Sequence, residues 1–192
     1  YEGQHKVDDE ILDSIFNAAN WFSWLRIYHK KMFNNTRFPI GKLYEDAYTT
    51  PFLFLKAESV YFINECLIGY RYNDHGITAK ITDKTLNDLK GVSECFALNI
   101  SQNYHFGLSV ISISQYYITQ SLKYEGWLKA RSRWSELKRI IDAGGFDDNI
   151  LKNRGNRLFY KFGIIFLIFE QVAIKLKVRK KDLIKVLFFI IF

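Results

Sequence analysis

The stretch FPIGKLYEDAYTTPFLF, residues 38–54, sets two consecutive carboxylates, Glu45 and Asp46, between a loop containing Pro39 and Gly41 and an apolar run. The proline and glycine keep the loop from being helical. Residues 46–56 then resume a helical pattern, which Pro51 is expected to kink or restart. Consecutive helical residues point about 100° apart, because a turn takes about 3.6 residues, so the two acids cannot converge on one atom. An acid in the first turn lies at the positive end of the helix dipole and stays ionised at neutral pH, where it is able to accept a proton. The same placement also suits plain helix-capping acids, and the stretch by itself leaves both roles open.

Upstream, VDDEILDSIFNAAN (residues 7–20) opens on Asp8 and Asp9, suited to capping, and puts Ile11, Leu12, Ile15 and Phe16 on one helical face. The segment WLRIYHKKMFNN (24–35) passes through aromatic and basic residues into an Asn-rich break. Downstream, SVYFINECLIGYRYN (59–73) is rich in Val, Ile, Tyr and Phe around an Asn-Glu break and reads as two short strands ending at an NDHG turn. From residue 83 to about 141 the pattern is helical, although the alternation of LSVISIS (108–114) leaves that piece ambiguous between helix and strand. In DAGGFDD (142–148), Gly144 and Gly145 are placed to end one helix and Asp147 or Asp148 to cap the next.

The 192 residues suffice for a sizeable core, with 48% hydrophobic content. Seventeen phenylalanines and twelve tyrosines against two prolines favour long packed helices. Cys66 and Cys95 have no metal-ligand spacing and are too few for a disulfide framework, so a reduced, cytoplasmic setting with buried thiols is expected. The chain begins at Tyr1 and stops in mid-pattern at VLFFIIF, and so reads as an excerpt. There is no dinucleotide fingerprint, P-loop, nucleophile elbow or zinc-protease motif.

Taken in order, WLRIYHKKMF, FPIGKLYEDAYT and VYFINECLIGYRYNDHGIT resemble the acceptor-side half of the family 2 glycosyltransferases, inverting enzymes of GT-A fold. The resemblance covers residues 21–78. Its first block is carried by Trp24, Arg26, Ile27 and Tyr28, its second by Phe38, Pro39, Gly41, Glu45 and Asp46, and its third by Tyr70, Arg71, Ile77 and Thr78. Arg26 stands where the family usually has lysine, Leu25 where a polar residue is frequent, and Gly76 where serine is usual.

The resemblance implies an α/β, helix-rich fold. Residues 1–80 would form the C-terminal, acceptor-binding half of a Rossmann-like GT-A domain, and residues 81–192 an α-helical extension. It implies Asp46 as general base, with Glu45, Tyr44 and Trp24 at the acceptor and Arg71, Lys42 and Thr78 at the donor diphosphate. Bonding of Arg71 to Asp74 or Glu65 and simple solvation of Lys42 are the competing readings. His75 invites a metal reading, but no other histidine is spaced to join it. The family's nucleotide-binding half and its D-x-D metal motif have no counterpart here, so a divalent Mn or Mg ion is expected to be held mostly by residues outside this chain. The implied partners are a nucleotide-sugar donor and a glycan or lipid-linked acceptor, as in bacterial polysaccharide and cell-envelope assembly. A non-enzymatic, basic helical module that binds a membrane or a partner protein is the competing class.

Residues 152–185 carry ten Lys or Arg and two acids, a local +8 that leaves about −1 for the rest of a chain whose net charge is +7. The apolar runs 162–169 and 186–192 are far shorter than the roughly 20 residues that span a bilayer. The basic amphipathic tail, residues 152–192, therefore either lies on an anionic membrane surface at the inner face of the plasma membrane or folds back on the catalytic half. No nucleic-acid recognition motif accompanies the charge.

Overall fold

The computed structural model describes residues 2–71, 73, 76 and 80–175. Helix α1, Asp9–Ala18, starts where Asp8 accepts a hydrogen bond from the Ile11 amide at 3.0 Å, and it buries Ile11, Leu12, Ile15 and Phe16, the face read from sequence. Strand β1, Gly3–Lys6, precedes it and pairs antiparallel with β2, Ser59–Phe62, in the register Gly3 to Phe62 and Lys6 to Ser59. Of the two strands expected in residues 59–73, only β2 forms among the described residues. Leu67, Ile68 and Tyr70 are exposed, with no second partner strand to cover them. Cys66 is exposed too, correcting its expected burial, whereas Cys95 is half-buried.

Helix α2, Glu45–Lys56, follows the loop of residues 38–44 and runs through Pro51 without a break. A proline forfeits one hydrogen bond inside a helix. Here that loss is outweighed by packing, since Ala47, Thr49, Thr50, Pro51 and Leu53 are all buried.

Five further helices build the larger layer: α3 (Asp83–Asn99), α4 (His105–Glu125), α5 (Trp127–Ala143), α6 (Arg154–Phe162) and α7 (Ile164–Lys175). Helix α4 touches α1, α3, α5 and α6, and so is buried on several sides. That position explains the ambiguity of residues 108–114: a helix enclosed all round loses its 3.6-residue polarity pattern. Ser109 donates to the Phe16 carbonyl and Ser114 to that of Val110, satisfying the hydroxyls that gave the segment its alternating look.

Phe106 meets Phe16 and Phe96 edge to face, with centroids 5.5 and 5.1 Å away, and Phe16 meets Trp21 at 5.0 Å. These contacts make one buried cluster that is continuous across residue 80 and reaches from Ile11 to Leu167.

Gly144 ends α5, and its lack of a side chain matters, because a Cβ there would stand 2.9 Å from the Ala97 carbonyl oxygen of α3. Asp147 caps only a short 3-10 turn, Asp148–Ile150, while Asn153 caps α6 by accepting from the Gly155 and Asn156 amides. The expected role of Asp147 or Asp148 at the next α-helix is thereby corrected. Through residue 175 the tail folds back, burying Leu158, Phe159, Ile164, Phe166 and Leu167, and its contacts are with α4 and α5. No described helix is long and apolar enough to cross a membrane.

Candidate active site

Asp46 stands in the first turn of α2, half-buried, with Oδ1 accepting the Ala47 amide at 2.8 Å. The backbone of Ser23, which opens the 3-10 turn Ser23–Leu25, lies against the same carboxylate. Burial is the main influence on Asp46 and raises its pKa. The Ala47 amide opposes the rise and the neighbouring Glu45 charge adds to it.

Arg26, one residue beyond the turn, is close enough to feel the Asp46 charge. Its guanidinium donates to the Phe22 carbonyl at 2.5 Å and to that of Asn20, and it lies 5.1 Å from the centroid of the Phe54 ring of α2. Burial lowers the Arg26 pKa, while Tyr28 and Asp46 act in the opposite direction. The Tyr28 hydroxyl meets Thr50 Oγ1 at 3.4 Å. Segment 20–28 is thus stapled to α2 along its length.

The same turn holds Trp24 outward. Its ring stacks on Tyr70 with centroids 5.1 Å apart and planes 21° from parallel, and Phe22 joins at 5.6 Å. Trp24 is 41% and Tyr70 76% exposed, so this aromatic surface faces solvent beside the Asp46 end of α2. Residues more than 40 apart in sequence are brought together here.

Glu45 is half-buried, next to Asp46 at the helix start. Tyr44 caps α2 in the left-handed conformation, φ +60°, and turns its ring against Tyr116 of α4 at 6.3 Å. Its hydroxyl is buried, and desolvation together with Tyr116 raises its pKa. Lys42 reaches Asp88 at 3.3 Å. Arg71 is exposed and makes no ion pair among the described residues, while Asp74, His75 and Thr78 lie outside them. Nor do any three His, Cys, Asp or Glu side chains gather as a metal site among the described residues.

Sequence reasoning missed Asp88 of α3. It is 3% exposed, and its carboxylate accepts from the Leu43 amide at 2.9 Å and from Lys84 at 2.6 Å, while Lys84 also donates to the Gly41 carbonyl at 2.5 Å. Tyr48 of α2 adds a bond from its hydroxyl to the Asp88 carbonyl at 3.2 Å. Burial by itself would raise the Asp88 pKa. The Leu43 amide and the two ammonium groups more than offset it, and the carboxyl lies below its usual range. The loop that delivers Glu45 and Asp46 is therefore anchored on the helical layer. The Lys84–Asp88 pair, four residues apart on one helix, was visible in sequence; the contact with a loop 45 residues away was not.

No protein-family model matches the chain, and no solved structure does. Over 83 residues, 43% of its length, the chain is 31% identical to a protein of Streptococcus pneumoniae serotype 4 named glycosyltransferase GlyA. The aligned segment makes up 12% of that relative's length.

Proposed function

We propose that this chain supplies the acceptor site and general base of an inverting, family 2-type glycosyltransferase, with the donor-binding half lying outside these residues. The observation that carries the reading is the convergence of a half-buried Asp46, Arg26 and the Trp24–Tyr70 stack at one end of α2. The local similarity to a named glycosyltransferase supports it.

In this reading the Asp46 carboxylate takes the proton of an acceptor hydroxyl as that oxygen attacks the anomeric carbon of the donor sugar. The new glycosidic bond forms as the bond to the nucleoside diphosphate breaks, and the departing diphosphate carries its electron pair away. Burial strengthens Asp46 as a base, while the Arg26 charge favours its ionised form. Trp24 and Tyr70 offer a flat apolar face to a saccharide ring. We assign Glu45, beside Asp46, to the acceptor hydroxyls, and the acceptor role of Tyr44 rests on the resemblance, since its ring turns to Tyr116 of α4. Arg71, exposed, is the cation we assign to the diphosphate; Thr78 joins it by resemblance alone, and Lys42 is already held by Asp88. The described residues do not by themselves compose a metal site, and a divalent ion on the donor diphosphate would be held by residues outside them.

The test is Asp46→Asn in the complete polypeptide that contains this chain, assayed with a panel of nucleotide sugars. Turnover should fall by at least about 10²-fold with donor binding nearly unchanged, because the amide keeps the size and cannot take the proton. Near-normal turnover rejects the assignment. A larger loss with Glu45→Gln would reverse the roles of the pair.

A further inference from the structure

Helix α7 is apolar nearly all round. One side enters the core through Ile164, Phe166, Leu167 and Ala173. The other presents Ile165, Ile168 and Val172, spaced i, i+3 and i+7 as a single stripe, and these are 52%, 39% and 45% exposed. Glu170, the sole acid of α7, is drawn toward α4 by Gln115, which donates to it at 3.3 Å.

At its start the stripe runs into a cleft of about 360 Å³ between α5, α6 and α7, lined by Trp127, Arg131, Lys161 and Ile165 among others. Trp127 is 49% exposed, with the Arg131 guanidinium 5.9 Å from its ring centroid. Lys161 is paired only loosely, at 3.8 Å, with Asp148. At its other end α7 leads in sequence into KLKVRKK, five cations in residues 175–181. An exposed apolar stripe bounded by an indole and two cations combines burial in acyl chains with attraction to anionic headgroups.

We propose that the outer face of α7, with the Trp127–Arg131 edge of the cleft, is a docking surface for an anionic lipid bilayer. Ile165, Ile168 and Val172 enter the interface, and Arg131 and Lys161 meet the headgroups. The sequence-level tail is thereby divided. Its inner face is core, and its outer face binds lipid. This inference does not rest on the assignment of Asp46, and either can fail without the other.

The experiment is cosedimentation of the 192-residue chain with phosphatidylcholine vesicles and with equimolar phosphatidylcholine–phosphatidylglycerol vesicles, for wild type, Ile168→Asp and Arg131→Glu. Wild type should bind the anionic vesicles and not the neutral ones. Ile168→Asp, with circular dichroism unchanged because the site is outward, should weaken partitioning about tenfold. Arg131→Glu should weaken it at low salt and much less at high salt. No binding by wild type overturns the proposal. Equal binding by Ile168→Asp also overturns it, and assigns the lipid affinity to residues 176–192 alone. So does a dimer that Ile168→Asp dissolves with no change in lipid binding, since a second copy then covers the stripe.

Discussion

Asp88 Oδ2, on α3, accepts the backbone amide of Leu43 at 2.9 Å, and through this bond the helical layer fixes the loop that carries Glu45 and Asp46. Replacing Asp88 by alanine leaves that amide without its partner and puts Lys42 and Lys84 side by side. A buried amide left without its partner costs about 1–3 kcal/mol, and the part-buried Leu43 amide falls at the lower end of that range. Asp88→Ala should lower unfolding stability by that amount in urea, and Asp88→Asn by less, since its amide oxygen still accepts. Because the folded carboxyl lies below its usual range, its contribution is complete above the unfolded-state pKa of about 3.9 and fades as pH falls through the folded value. Wild type and Asp88→Asn should therefore converge in stability in acid. A gap that stays constant to the lowest pH contradicts the linkage.

His105 imposes a second pH dependence, near neutrality. Its ring is 3% exposed, with Nδ1 on Asn103 Oδ1 at 2.7 Å and Nε2 facing Asp13 at 3.6 Å and Asp9 at 3.8 Å across the contact of α4 with α1. Burial lowers its pKa, and the attraction of Asp13 and Asp9 offsets this only in part. A histidine held below its ordinary value binds fewer protons folded than unfolded. The folded state therefore loses stability as pH falls from about 6.5 through the folded pKa. Melting temperatures between neutral pH and pH about 5 should fall more steeply for wild type than for His105→Gln. Parallel slopes would show that His105 titrates alike in both states.

The elements legible in sequence were those that carried their own local signals. The Asp8 cap and the face of Ile11, Leu12, Ile15 and Phe16 delimit α1 with no help from the rest of the fold. Strand β1 could not be read, because GQHK has no apolar alternation and becomes a strand by pairing with residues 59–62. In the candidate site, Asp46 and Trp24 were legible from their motifs. The stack of Trp24 on Tyr70 and the grip of Asp88 on Leu43 were not, since both depend on how distant segments meet.

Arg133 bridges α5 to α4 across Gly126. Its Nε and Nη2 bond both Glu125 oxygens at 2.7 Å and its Nη1 donates to the Tyr117 hydroxyl at 2.8 Å, while Ser121 also donates to Glu125. Glu125 is nearly buried and Arg133 is about three-quarters so. Arg133→Ala strands that carboxylate and should cost about 3 kcal/mol in urea unfolding, the lower end for breaking a buried pair because the arginine retains some contact with water. Arg133→Lys should recover only a minor part, because an ammonium cannot span both oxygens and the tyrosine with the planar fork. Full rescue by lysine would show that charge alone matters there.

Arg26 and Asp46 influence each other through their charges. Burial pushes the Asp46 pKa up. The Asp46 charge raises the Arg26 pKa, and because Coulomb attraction is mutual the guanidinium favours the ionised form of Asp46. Arg26→Gln removes the positive charge and keeps a polar, though shorter, side chain at that position. The Asp46 pKa should then move higher, because the charged form has lost a stabilising neighbour. Carboxyl ¹³C titration by NMR reads this directly in the isolated chain, with no knowledge of the acceptor. In the complete polypeptide the acid limb of turnover should shift to higher pH by the same amount, since only the ionised carboxylate takes a proton. An Asp46 titration unchanged by Arg26→Gln would mean that the two groups do not interact. A carboxyl titration that shifts while the activity limb stays in place would mean that Asp46 is not the base.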